Sequence, residues 1–87
     1  MSANKIIEPV STMHDDGTCF HITVELPGVP EEKIRIDLEK STVAIHASYD
    51  SVMFRKMVRL PYDVRLSRKK FSNGTLELIL EKIPVGQ

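Results

Sequence analysis

Residues 20–40 read "FHITVELPGVPEEKIRIDLEK", and this stretch decides the fold. Phe20, Ile22, Val24 and Leu26 take every second position, with His21, Thr23 and Glu25 between them. Successive side chains of a strand point to opposite faces, so the pattern is that of a half-buried β-strand. Pro27-Gly28-Val29-Pro30 then breaks the alternation. Proline fixes φ and glycine permits φ > 0, so the chain turns a corner there. Alternation resumes with Ile34, Ile36 and Leu38 against Arg35, Asp37 and Glu39. Between the corner and the second strand, Pro30 to Lys33 have room for a single helical turn, with Glu31 and Glu32 favoured at its start. Two strands joined by such a corner predict a chain that leaves one sheet of a sandwich and enters the other.

The rest of the sequence repeats the period of two. Val43, Ile45, Ala47 and Tyr49 alternate with Thr42, Ala44, His46 and Ser48. Val52, Phe54, Val58 and Leu60 share one phase, which Lys56 interrupts. Leu76, Leu78 and Leu80 alternate with Glu77, Ile79 and Glu81, and apolar Ile79 on the second face predicts a strand covered on both sides. Turn residues separate the runs: Asp15-Asp16-Gly17, Asp50-Ser51, Pro61-Tyr62-Asp63 and Asn73-Gly74. Asn-Gly is the strongest short hairpin signal, and Asp50-Ser51 leaves room for a second tight hairpin. No segment supports a helix of two turns. The expectation is an all-β, immunoglobulin-like antiparallel sandwich of about seven strands.

Composition sets the bounds. The chain has 87 residues, which is one domain. A domain of this size buries only about 60–65% of the surface its unfolded chain exposes. A single cysteine, Cys19, excludes an internal disulfide. A lone thiol without a secretory signal fits a reducing compartment, so a cytoplasmic location is expected. No apolar run approaches the roughly 18 residues of a membrane span, and no membrane partner is expected. Twelve basic and twelve acidic side chains cancel, so no net field draws the chain to nucleic acid.

Few side chains are placed for reactive chemistry. Cys19 and His21 are two apart and share a strand face, but no third group orients the histidine as a triad needs. His14, Cys19 and His21 match no closed tetrahedral metal pattern. There is no glycine-rich phosphate loop. The chain is therefore read as a non-enzyme without cofactor or metal. Arg65, Arg68, Lys69 and Lys70 form one basic cluster, read as a solvated loop and a lysine-guarded edge strand. Arg55, Lys56 and Arg59 form a second, in which Arg55 and Arg59 share one strand face with Met53 and Met57. That face is either a partly covered sheet surface or a partner interface, for which methionine's adaptable side chain is suited.

Taken together, these motifs resemble the α-crystallin domain of the small heat-shock proteins. The carriers are "VELPGVPEEKIRIDLE" at 24–39, "VAIHAS" at 43–48, "FRKMVRLP" at 54–61 and "FSNGTLELILEK" at 71–82, in the family's order. The likeness runs from about Ile7 to Lys82, nearly the whole chain. It divides the sequence into a short N-terminal arm (1–5), the α-crystallin-like domain (6–82) and a C-terminal tail (83–87). Where family members often carry alanine and valine beside the last hairpin, Lys69 and Thr75 stand here, and the long loop that microbial and plant members exchange between subunits is missing.

The resemblance implies an ATP-independent holdase that binds unfolded or partly folded client proteins. It places a partner and client groove at Ile34, Ile36, Leu38 and Phe71. It implies self-association, with Phe54, Arg55, Lys56, Met57 and Arg59 as the candidate dimer strand. It identifies Ile83 and Val85 in "EKIPVGQ" as the tail motif that members lay into a neighbour's groove. The alternative is an adaptor of the related CS-domain type, docking on a larger chaperone. A nucleic-acid module using the two basic stretches is the weaker alternative.

Overall fold

The structure, a computed structural model, describes residues 5–84. Eight strands form two four-stranded sheets. In chain order they are β1 (Lys5–Ile7), β2 (Ser11–Asp15), β3 (Cys19–Glu25), β4 (Ile34–Glu39), β5 (Thr42–Tyr49), β6 (Val52–Arg59), β7 (Val64–Ser72) and β8 (Thr75–Lys82). One sheet has the order β1-β6-β5-β4 and the other β2-β3-β8-β7. A single 3-10 turn, Glu31–Lys33, lies between β3 and β4. The sandwich is thus as expected, with eight strands against about seven. The alternation names five of them; the β7 residues read only as a loop and lysine-guarded edge strand, and β1 and β2 have no run of their own. β1 is three residues that pair in parallel with β6. All other described pairings are antiparallel.

The core is the sum of the inward phases. Phe20, Ile22, Val24 and Leu26 come from β3 and its end, Val43, Ile45 and Ala47 from β5, and Leu76, Leu78 and Leu80 from β8. No polar or charged side chain is buried among them. Each fully buried aliphatic or phenyl group contributes about 1.5–3 kcal/mol relative to leaving it in water. Ile79 is only half-buried, between Arg68 and Lys70 on the outer face, so β8 is covered by long basic stems rather than by a third layer.

The corner now has a physical cause. β3 belongs to one sheet and β4 to the other, and Leu26-Pro27-Gly28 carries the chain across. The Leu26 N–H donates to the Gly74 carbonyl at 2.7 Å, so the corner docks on the Asn73-Gly74 hairpin. A Cβ at Gly74 would stand 3.2 Å from Pro27 Cα, and Gly74 has φ +78°. Glycine is needed there twice over, for the backbone conformation and for the close approach. Asn73 and Gly74 both have positive φ, as do Asp50 and Ser51. Both pairs form the two-residue hairpins expected, with positive φ at each central position.

Candidate functional site

The described residues offer two kinds of site: reactive clusters and open sheet edges. The reactive cluster sits at the β2–β3 hairpin. Asp16 accepts the backbone N–H groups of Thr18 and Cys19 at 2.9 and 2.8 Å, and its other oxygen meets His21 Nε2 at 2.7 Å. The third group missing from the sequence reading is therefore present, five residues before the histidine. It does not make Cys19 a nucleophile. Burial pushes the Cys19 thiol above its ordinary value, and the Asp16 charge adds to this. A thiol held in its protonated form is a poor nucleophile. The backbone donors of Cys19 and Thr18, with His21, hold the Asp16 carboxyl far below the usual carboxylate range, which marks a turn-stabilising group. Among the described residues, no three His, Cys, Asp or Glu side chains converge as a metal site.

The edges are more informative. β6 and β2 line one groove, of about 300 Å³, between Ser11, Thr12, Met13 and Ile22 on one side and Lys56, Met57, Val58 and Arg59 on the other. These two strands therefore share a flank of the sandwich. β4 and β7, the terminal strands at the opposite ends of the two sheets, share the other.

On the β4–β7 flank the expected groove residues divide. Ile34 is 8% exposed and belongs to the core. Ile36, Leu38 and Phe71 are half-buried against that core and reach the surface along the seam. Their position follows from register: Ile36 pairs with Ile45, Leu38 with Val43 and Phe71 with Leu76, each partner pointing inward. Leu66 joins them at 41% exposure and was not expected. In β7 Leu66 pairs with Leu80 and Arg68 with Ile79, so Ser67 is an extra residue, a β-bulge. Strict alternation sets Leu66 and Phe71 on opposite faces. The bulge resets the phase and puts Leu66, Lys69 and Phe71 on the same side. Two apolar residues five apart in one strand are the signal that could have revealed it. Lys69 is exposed, and Thr75 Oγ donates to Glu25 Oε1 at 3.0 Å rather than lining the seam.

β7 is also guarded. Its bulge and four exposed cations, Arg65, Arg68, Lys69 and Lys70, discourage another strand from pairing with it. Arg65 is held by Glu81 at 2.6 Å. β4 has no bulge, and no described strand pairs with its outer side. It is the more receptive edge of that flank.

On the other flank, the candidate dimer strand is partly taken. β1 covers Val52, Met53 and Phe54 of β6, and Lys56 Nζ lies 3.0 Å from Glu8. Phe54 packs on the core, while Arg55, Met57 and Arg59 face outward and exposed. Lys56, the residue that broke the apolar phase, is on the inner side at the margin, where Glu8 reaches it. In the tail, Ile83 is exposed and its N–H donates to the Asp63 carbonyl at 2.8 Å. Val85 lies outside the described residues.

Comparison with solved structures places this arrangement. Heat shock protein 16.0 from Schizosaccharomyces pombe superposes with a TM-score of 0.80 at 20% identity, over 93% of this chain and 71% of that one. HSP18.5 from E. histolytica gives 0.74 at 18%, over 92% of each chain. A small heat-shock protein from Xylella fastidiosa gives 0.77 at 15%, over 93% and 91%. The fold is that of the small heat-shock proteins. The likeness lies in architecture: no family model matches the sequence, and no curated protein is detectably similar to it. The resemblance read from the four sequence motifs thus has its counterpart in three dimensions. Missed from the sequence were the β1–β6 pairing, the bulge and Asp16.

Proposed function

We propose that this protein is an ATP-independent chaperone that holds partly unfolded polypeptides along the open flanks of its sandwich. One observation carries the reading: β4 presents an unpaired backbone edge beside an apolar seam of half-buried Ile36, Leu38 and Phe71, with exposed Leu66. An extended client adds to such an edge through main-chain hydrogen bonds, and alternate side chains enter the seam. Unfolded chains offer that geometry and folded ones do not, so selectivity for unfolded proteins follows without nucleotide or catalysis. The architecture shared with small heat-shock proteins supports it.

Self-association is part of the proposal, through whichever edges the isolated chain leaves unpaired. The test is light scattering from a model client heated with the protein. The reading expects protection by the native chain and a clear loss of it in an Ile36→Glu/Leu38→Glu variant of unchanged melting temperature. Equal protection by both, or by neither at excess protein, contradicts it.

A further inference from the structure

We propose that the outer face of the β4–β5–β6 sheet is a binding site for a short inorganic oligophosphate, held by a cross-strand row of Arg35, His46 and Arg55. The proposal stands apart from the chaperone reading, because it concerns a sheet face rather than an edge and a small anion rather than a polypeptide.

Three observations lead to it. First, register aligns the row. Arg35 of β4 pairs with His46 of β5, and His46 pairs with Arg55 of β6. Ile45 and Ala47 point into the core, so His46 between them points outward. Residues directly opposite on paired strands share a face, so both arginines point outward with it. Second, the row is uncompensated. Among the described residues, neither Arg35 nor Arg55 nor nearby Lys33 has a carboxylate at ion-pair distance. Asp37 alone approaches, 3.9 Å from His46. The other sheet treats its cations differently: Glu81 holds Arg65 at 2.6 Å, and Lys70 pairs in register with Glu77. Acids and bases balance over the whole chain, so the positive excess on this face is local. Third, the face is hollowed. A depression of about 350 Å³ is lined by Lys33, Arg35, Asp37, His46, Ser48 and Met53. Small-molecule sites begin at about 300 Å³.

The spacing selects the ligand. Neighbouring strands lie about 4.8 Å apart, which sets Arg35 and Arg55 about 10 Å apart across His46. A single phosphate cannot reach both. A chain of phosphoryl groups can, giving oxygens to both guanidinium forks and to the imidazole between them. The fork matches phosphate oxygens two at a time, and Lys33 adds a point charge at the side. Asp37 and Lys33 lie on opposite sides of Arg35 along the chain, so Asp37 closes the Asp37 side to an anion and Lys33 opens the other. Strand addition at either edge uses main-chain groups in the plane of the sheet. This site uses side chains that stand perpendicular to it, so edge pairing does not consume it.

The test is calorimetric titration of the full chain with sodium tripolyphosphate in about 0.1 M salt, where charges more than about 10 Å apart are screened. Binding should saturate at one site per chain, weaken as salt is raised, and raise the melting temperature. Orthophosphate, and tricarballylate as a three-carboxylate control, should bind about tenfold more weakly or worse, because neither offers phosphate oxygens to both forks. Arg35→Gln/Arg55→Gln should lose about tenfold or more in affinity, since two charge-assisted donors go. Arg68→Gln/Lys70→Gln removes the same charge from the opposite sheet and should stay within about twofold, as screening predicts. All four side chains are exposed, and circular-dichroism melts confirm that both variants fold.

Undiminished binding by Arg35→Gln/Arg55→Gln overturns the proposal. So does an equal loss in the control pair, or equal affinity for tricarballylate, since either shows attraction by charge without a site. Neither heat nor a rise in melting temperature with the native chain overturns it outright. The titration contains no client, so failure of protection in the scattering assay leaves these results untouched and the two readings fail separately.

Discussion

β8 and β7 are consecutive strands of one sheet, joined by a two-residue hairpin, and they could hardly differ more. In β8, Leu76, Leu78 and Leu80 are buried to 1% exposure or less. In β7 only Val64 is buried; the strand carries a bulge, and four cations and Leu66 are exposed. β8 has a partner on each side, β3 and β7, whereas β7 has one. Stability is therefore concentrated in the central pair β3–β8 and in β5. The flanks are held mainly by backbone pairing from one side, which leaves them available to other chains.

The largest expected effect lies at the centre. Leu78→Ala should cost about 2–5 kcal/mol, as deletion of a fully buried leucine does. Leu66→Ala, in the paired strand, should stay within about 0.5 kcal/mol, as for surface substitutions generally. Denaturant titration of both variants measures the contrast directly, and equal losses would erase the distinction between centre and edge.

Next comes the corner. Gly74→Ala meets both a left-handed φ of +78° and a 3.2 Å approach to Pro27 Cα, whereas Gly28→Ala has the same φ with open space around it. A residue held in a disfavoured backbone region costs about 1–3 kcal/mol. Gly74→Ala should be the costlier of the two, and a larger loss at Gly28 would show that the hairpin does not brace the corner.

A smaller, pH-dependent effect belongs to the β2–β3 hairpin. Backbone N–H groups hold the carboxyls of both Asp15 and Asp16 below the ordinary value of 3.8, with Lys82 assisting Asp15 and His21 assisting Asp16. A carboxyl whose folded value is depressed contributes stability above its unfolded value and loses it as the pH falls. Melting temperature should therefore decline below about pH 4, the unfolded carboxylate range. Asp16→Asn should flatten that decline, and an unaltered acid limb in the variant would remove Asp16 from the account.

The smallest effect is at β1. Glu8→Gln removes an ion pair that is mostly exposed on the Glu8 side, at 69%. Such pairs contribute about 0.2–1 kcal/mol. Global stability should barely move, while amide exchange at Ile6 and Ile7 should accelerate. Unchanged exchange would mean that the ladder alone fixes β1.

The central strands were legible from Phe20, Ile22 and Val24 or Leu76, Leu78 and Leu80, because a sheet buried on one face writes a period of two into its residues. The two hairpins were legible from Asp50-Ser51 and Asn73-Gly74. The edges were not. β1 is three residues long, too short for any period to show, and its pairing depends on a partner nearly fifty residues away. The bulge at Ser67 erases the period locally, so no face could be assigned to Leu66 from the sequence. Ile34 and Ile36 have the same sequence signature, yet Ile34 sits in the core and Ile36 at the seam, because depth along a strand depends on what the other sheet covers. Asp16 was visible as a turn residue, but its reach to His21 needs the hairpin to be closed.

Hydrogen exchange, resolved by residue, with and without a heat-unfolded client tests the central claim most directly. The account predicts new protection along β4, from Ile34 to Glu39, and at Leu66 and Phe71, with the β3–β8 centre unchanged. Aggregation suppressed while β4 exchanges as fast as before, or protection confined to the outer faces of the sheets, would contradict it.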